Sequence, residues 1–324
     1  MATINMVKAL NSTLRAAMEK DDRVVILGED VGKNGGVFRV TDGLQDRFGA
    51  ERVIDTPLAE AGIIGAAVGM SLAGLKPVTE IQFLDFIYPA FDQIVSEVAK
   101  YRYRSGGQFA CPMVIRTPCG GGVGGGHYHS QSTEAYFAHT PGLKVVMPSN
   151  PYDAKGLLNS AIRDADPVIF MEPKRCYHTP TMEVPENDYT VPLGEAKVVK
   201  SGADVSVITW GAMLYPSLEA AGRAEKEGID VEVMDLRSFV PFDGRAILET
   251  AKKTGRVVIV CEATRTASFA SEVAAHIAEH AIDSMAAPIV RVTGWDTPFP
   301  YALEMEYLPN ADRVLDGIQR VAAH

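Results

Sequence analysis

Glu60 is the only ionisable side chain between Asp55 and Lys76, set in the small and apolar run PLAEAGIIGAAVGMSLAGL from Pro57 to Leu75. A carboxylate on such a segment is expected to be buried, and desolvation raises its pKa towards the range useful for proton transfer near neutrality. The simpler alternative is a helix-end charge, with Ala59, Glu60 and Ala61 forming a first turn whose amides and dipole the carboxylate satisfies. A second candidate group lies in CGGGVGGGHYHSQS, Cys119 to Ser132, where His127 and His129 stand on a glycine-rich loop. Each alone reads as a surface or hydrogen-bonding histidine. A metal site would need further ligands, and Cys119, Glu134 and His139 offer no recognisable zinc spacing.

Gly120, Gly122 and Gly125 formally satisfy G-x-G-x-x-G, but no G-K-[ST] follows, no helix opens directly on the glycines, and no acid lies between Glu134 and Asp153 to hold a ribose. A mobile or tightly turned loop that brings the two histidines to a cleft fits better. In EIQFLDFIYPAFDQI (80–94), Gln82, Phe83, Asp85 and Phe86 fall at the C-terminal end of a predicted strand, where open parallel sheets bind ligands. Aromatic residues there either belong to the core or flank a flat heterocycle. Ser71 sits in G-M-S-L-A, which lacks the second glycine of a nucleophile elbow.

The elements that must position these groups follow from periodicity. Short β-branched runs alternate with amphipathic, helix-length segments, the pattern of a parallel sheet with helices on its faces. The predicted strands are 24–27, 78–81, 112–117, 144–147 and 168–171, and the predicted helices 4–19, 58–73, 86–103 and 151–163. Asn150 is placed to cap the last helix, with Pro151 as its first residue. The proline-rich stretch 173–194 reads as a connection, after which strands at 204–209, 231–236, 256–263 and 288–293 alternate with helices near 215–227, 244–253 and 268–281. Two α/β domains result, 1–190 and 191–324, each a parallel or mostly parallel sheet flanked by helices.

With 47% hydrophobic and 22% charged residues and no low-complexity tract, the chain of 324 residues is expected to fold throughout. Its net charge of −10 argues against a nucleic-acid surface and is compatible with a basic protein partner. The N-terminus is too polar for a signal peptide, and the most apolar stretch, Ala61 to Leu75, is too short and glycine-rich to span a bilayer. Cys111, Cys119, Cys176 and Cys261 form no C-x-x-C pair. A cytoplasmic protein with reduced thiols is expected.

Taken together, GEDVG (28–32), DTPLAEAGIIGAAVGMSLAG (55–74), EIQFLDFIYPAFDQI (80–94), KYRYRSGG (100–107), GGHYHSQSTEAYFAHTPGLKVVMPSNPYDAKGLL (125–158), EPK (172–174), DLRSFVPFD (235–243) and VTGWDTPFPYA (292–302) resemble one family, the β subunits of thiamine-diphosphate-dependent 2-oxo acid dehydrogenases. The likeness runs from about Thr3 to the C-terminus. It implies two transketolase-like domains, a pyrimidine-binding domain and a C-terminal domain. It also implies that Glu60, the glutamate of D-T-P-x-x-E, bonds the aminopyrimidine of thiamine diphosphate and promotes the tautomer that removes the thiazolium proton. Leu58, Gln82 and Phe86 match further cofactor-contacting positions; branched-chain members often carry tyrosine at the place of Phe86. His129, in H-S-Q-S, matches the histidine that positions or protonates the incoming lipoyl group.

Thr133 replaces a common proline, and Cys176 to His178 depart from the usual sequence after E-P-K. By the same resemblance, Met113, Val114, Ala161, Asp164 and Asp166 match a structural potassium site built mostly from backbone carbonyls. The chain contains no G-D-G segment, so the resemblance assigns Mg²⁺ and the diphosphate to an α subunit, in a heterotetramer of two α and two β chains. The lipoyl and subunit-binding domains of an acyltransferase core are the further partners implied. HYHSQS and IFMEPK look more branched-chain than pyruvate-type; the alternatives are a pyruvate or acetoin dehydrogenase β subunit, and a scaffold that kept the fold and lost its chemistry. A self-sufficient transketolase-like enzyme fails on length and on the missing magnesium motif.

Overall fold

The computed structural model describes residues 2–324. The chain divides into two compact units, the second made of Gly120–Ala135 and Gly194–His324 and the first of the remaining described residues. From the N-terminus to Leu193 the elements are β1 (Ala2–Ile4), α1 (Met6–Lys20), β2 (Val24–Gly28), α2 (Leu44–Phe48), β3 (Val53–Asp55), α3 (Glu60–Leu72), β4 (Lys76–Glu80), α4 (Tyr101–Arg104), β5 (Val114–Cys119), α5 (Glu134–Ala138), β6 (Lys144–Val146), α6 (Pro151–Arg163), β7 (Val168–Pro173) and β8 (Met182–Val184).

In the first unit, β6-β7-β5-β4-β2-β3 run parallel in that order, and β1 pairs antiparallel with β8. β2 and β7 are buried along their whole length, which is why β2 and residues 168–171 of β7 read as continuous apolar runs and not as alternating ones. In α1 the Asn5 side chain accepts the Lys8 amide at 3.0 Å, and Met6, Leu10, Leu14 and Met18 form a buried face against α6. α6 begins where the sequence predicts, with Asn150 Oδ1 accepting the Asp153 amide at 2.9 Å and Pro151 in the first turn.

The predicted helix over 86–103 does not form as one helix. Two 3₁₀ turns, Leu84–Phe86 and Tyr88–Ala90, are followed by a π-helical turn, Gln93–Val98, and then α4. Pro89 is the physical reason: it lacks an amide hydrogen, and in a continuous helix its ring would meet the carbonyl of Asp85.

The second unit continues with β9 (Lys197–Lys200), β10 (Val205–Thr209), α7 (Leu214–Lys226), β11 (Val231–Asp235), β12 (Ser238–Val240), α8 (Gly244–Thr254), β13 (Val257–Val260), α9 (Phe269–Ala281), β14 (Val290–Val292), α10 (Glu304–Tyr307) and α11 (Ala311–Ala322). Its sheet has the order β14-β13-β10-β11-β9, parallel except for β9, an antiparallel edge strand carrying Lys197 and Lys200. α11 was not among the predicted helices, although Asn310 caps it at 2.9 Å and Val314, Ile318 and Val321 face inward at helical spacing. No disulfide links the four buried cysteines, and no helix among the described residues is long and apolar enough to cross a membrane.

Candidate active site

In the first unit the candidate site is built where β2, β3 and β4 end. β2 pairs with both β3 and β4, so the turns after Gly28, Asp55 and Glu80 lie side by side. Asp55 Oδ1 accepts the Gly32 amide at 2.6 Å, and Thr56 donates its amide to the Gly28 carbonyl at 3.0 Å. These bonds tie the GEDVG turn to the DTPLAE turn and bring Glu29 beside Glu60. A Cβ on Gly32 would lie 2.4 Å from Asp55 Oδ2, so any side chain there would push the Asp55 carboxylate away from this approach.

Glu60 opens α3 and is 8% exposed; the cap residue Ala59 offers no side-chain bond. Burial raises the pKa of Glu29, and the charges of Glu60 and Asp30 raise it further. The site thus holds two neighbouring carboxyl groups, one of which keeps its proton to a higher pH than a solvated glutamate does, an arrangement able to exchange protons. The buried Thr56 hydroxyl has no hydrogen-bond partner among the described residues, so a polar ligand group has a place to bond in the same motif.

Leu58 is 79% exposed, an apolar side chain projecting from the loop that carries Glu60. Gln82 donates to Asp30 Oδ2 at 3.3 Å, linking the β4 turn to the β2 turn. Phe86 makes an edge contact with Phe83 at 5.4 Å, Phe83 with Phe38 at 5.5 Å, and Phe38 lies 5.1 Å from the Tyr177 ring.

That aromatic row ends on a buried polar network. Arg116 donates from Nε and Nη2 to the two carboxylate oxygens of Glu172, at 2.7 and 2.9 Å, and from Nη1 to Glu80 at 2.7 Å. Tyr177 donates to the same Glu172 at 2.6 Å, and burial together with the Glu172 charge holds its hydroxyl protonated well beyond the usual range. The departure from the family pattern at Cys176 to His178 therefore contains a residue that closes this network.

The second unit holds His127 and His129. The loop before them turns through left-handed glycines, with φ of 77° at Gly120, 90° at Gly122, 71° at Gly124 and 63° at Gly126. Glu304 accepts the Gly122 and Gly124 amides, and Glu262 accepts from the Ser132 hydroxyl at 3.1 Å. His129 is half-buried and donates its amide to the Gly126 carbonyl at 3.3 Å. The loop is thus a turned structure folded on the second unit, not a phosphate cradle opening a helix.

Glu134 follows it. Its carboxyl is wholly buried, one oxygen accepts from Trp210 Nε1 at 3.3 Å, and the other has no hydrogen-bond partner among the described residues. Burial, with the Glu262 charge adding to it, pushes its pKa up to about 7.

The five potassium-site positions fall at the starts of β5 and β7 and the end of α6. The Met113 and Ala161 carbonyls accept the Val168 and Asp164 amides at 3.0 and 3.2 Å, and the Val114 carbonyl accepts from Thr79. A backbone carbonyl carries two lone pairs in all. Asp164 is paired with Lys144 and Asp166 with Arg102, both at 2.5 Å. Among the described residues there is no group of three or more His, Cys, Asp or Glu that could hold a metal.

Sequence reasoning from residue types singled out Glu60 and His129 but not Glu29, Glu262 or Glu304. Glu29 had a signal, an acid directly after the buried strand of GEDVG; the other two lie too far along the chain from the loop they hold.

Residues 2–180 match the transketolase pyrimidine-binding domain and residues 194–314 the transketolase C-terminal domain. The chain is 51% identical to the 2-oxoisovalerate dehydrogenase β subunit of Bacillus subtilis, covering 99% of both proteins. It is 50% identical to the protein of that name from Pseudomonas aeruginosa, over 99% of this chain and 95% of that one. The pyruvate dehydrogenase E1 component β subunit of Bacillus subtilis is 49% identical, again over 99% of both. A solved split-gene transketolase, titled an inactive β4 tetramer, superposes with a TM-score of 0.81 at 25% identity and 99% coverage of each chain.

Proposed function

The chain belongs to the family of 2-oxo acid dehydrogenase β subunits, and from that premise we propose that it is the β half of a decarboxylating dehydrogenase for branched-chain 2-oxo acids. The single observation that carries the site assignment is the buried carboxylate of Glu60 set beside Glu29 at the ends of parallel strands.

Thiamine diphosphate, when bound, supplies the electron sink that decarboxylation of a 2-oxo acid requires. Glu60 would hold the aminopyrimidine through its carboxyl group, from which a proton can be given or taken. Glu29, holding its own proton to higher pH, limits the negative charge around it. Phe86 and Leu58 offer apolar faces to the ring, and Gln82 an amide. Mg²⁺ and the diphosphate fall to an α subunit in a heterotetramer of two α and two β chains; the lack of a G-D-G segment supports this, as does the inactivity of the split-gene transketolase as a β4 tetramer. Met113, Val114, Ala161, Asp164 and Asp166 offer K⁺ carbonyl oxygens, with both aspartates already neutralised.

His129 serves the second half-reaction, in which the acyl group passes to a lipoyl group of the acyltransferase core, and the acidic chain docks on that core's basic subunit-binding domain. A cytoplasmic site of action fits the absence of disulfides.

The test is to co-express the chain with its α subunit and follow decarboxylation with an artificial electron acceptor on a panel of 2-oxo acids. Preference for 2-oxoisovalerate supports the assignment. Preference for pyruvate moves it to the pyruvate-type reading, which the 49% identical relative supports, since neighbouring apolar substrates differ by only ~1–3 kcal/mol per methylene. Glu60→Gln should abolish turnover while the heterotetramer still assembles; full activity in that variant refutes the site.

A further inference from the structure

We propose that Glu304 is a positioning residue that holds the glycine loop in the conformation from which His129 works; this rests on the role given to His129 above. Glu304 Oε1 accepts the Gly122 amide at 2.7 Å and Oε2 the Gly124 amide at 2.9 Å, so both oxygens are used as acceptors on one loop. The segment leading to Glu304 also shapes the loop by contact. A Cβ on Gly121 would lie 2.5 Å from Phe299 Cζ, and one on Gly126 3.0 Å from Tyr301 Cδ2. Glu262 holds the far end through Ser132, and between the two anchors Gln131 donates to the His127 carbonyl at 2.9 Å.

Glu304 is itself held. It is buried at the start of α10, the Phe299 and Tyr307 rings meet at 4.6 Å, and Trp295 donates to the Glu306 carbonyl at 3.0 Å. The loop, by contrast, exposes Val123 and Tyr128, so its own apolar contacts do not pin its tip. Only a carboxylate suits the clamp: a glutamine amide would turn its NH₂ against one of the two amide hydrogens. Releasing the clamp displaces His129 and should cost on the order of tenfold to a hundredfold in the step it serves.

The experiment uses the α/β assembly and two assays, reductive acylation of a free lipoyl domain and decarboxylation with an artificial acceptor. Glu304→Gln should lower the ratio of acylation to acceptor-linked turnover by at least about tenfold. Glu304→Asp, which keeps two acceptor oxygens, should recover part of that ratio. In a double-mutant cycle, Glu304→Gln should add little to the acylation defect of His129→Ala. Should Glu304→Gln fail to assemble, Gly124→Ala tests the same point, because its Cβ meets nothing within 4 Å while its φ of 71° strains the loop. Equal losses in both assays for the Glu304 variants, or additive losses in the cycle, overturn the proposal while leaving His129 in place. Equal losses for His129→Ala alone remove the His129 reading itself, and the positioning role falls with it.

Discussion

Glu134→Gln should flatten the pH dependence of stability in the second unit. The Glu134 carboxyl is fully buried and its pKa is raised from 4.5 to about 7, chiefly by desolvation, with the Glu262 charge acting in the same direction. A raised folded-state pKa means that the folded protein binds this proton more tightly than the unfolded chain. The stabilising contribution is complete below pH 4.5, is lost as pH rises through about 7, and is constant above that. At about 1.4 kcal/mol per unit, the loss across the window is on the order of 3 kcal/mol. Glutamine cannot ionise, keeps an oxygen for the Trp210 indole, and inherits the unpartnered position of the other oxygen, so any fixed cost of the exchange cancels when one protein is compared at two pH values. The assay is denaturant unfolding at pH 5 and pH 8 followed by tryptophan emission. Both tryptophans, Trp210 and Trp295, lie in the second unit, so the signal reports that unit. The variant should lose ~3 kcal/mol less than the parent between the two pH values. Identical losses refute the claim that Glu134 is a neutral buried acid near pH 5.

The buried network around Arg116 invites a graded comparison. Arg116→Met leaves the Glu172 and Glu80 carboxyls without their buried cation and should destabilise the first unit by about 3–5 kcal/mol, measured as a shift in denaturation midpoint. Tyr177→Phe removes one bond to a charged acceptor and should cost only about 1.5–3 kcal/mol; an effect as large as that of Arg116→Met would contradict this ranking. If the carbonyls near Met113 and Ala161 hold K⁺, replacing KCl by NaCl at equal ionic strength should lower the melting temperature of the α/β assembly. An unchanged melting temperature removes that site.

Local signals in the sequence carried much of the fold. Asn150 and Pro151 mark the start of α6 because a cap and a first-turn proline act within one helical turn. β2 and the 168–171 stretch of β7 were legible because strands covered on both faces read as continuous apolar runs. Pro89 is an equally local signal against the helix predicted over 86–103, where the apolar periodicity of the run points the other way. The family resemblance, confirmed by relatives about half identical over the full chain, rested on long motifs in order. What stayed hidden is non-local. Glu29 reaches Glu60 only because Asp55 ties two turns together through Gly32. The oxygens that hold the glycine loop arrive from residues 262 and 304, and no periodicity within the loop announces them.

The wide separation between that loop and its clamp has a consequence on the ribosome. Glu304 follows Gly122 by 182 residues, so at ~5–20 residues per second the loop waits roughly 9–36 s for the carboxylate that fixes it. The last of the six parallel strands of the first unit's sheet, β7, ends at Pro173, so all six have been synthesised well before the interval ends. A nascent chain can therefore complete that sheet while the segment bearing His129 is still unclamped, and the loop is among the last parts of the molecule to take its shape.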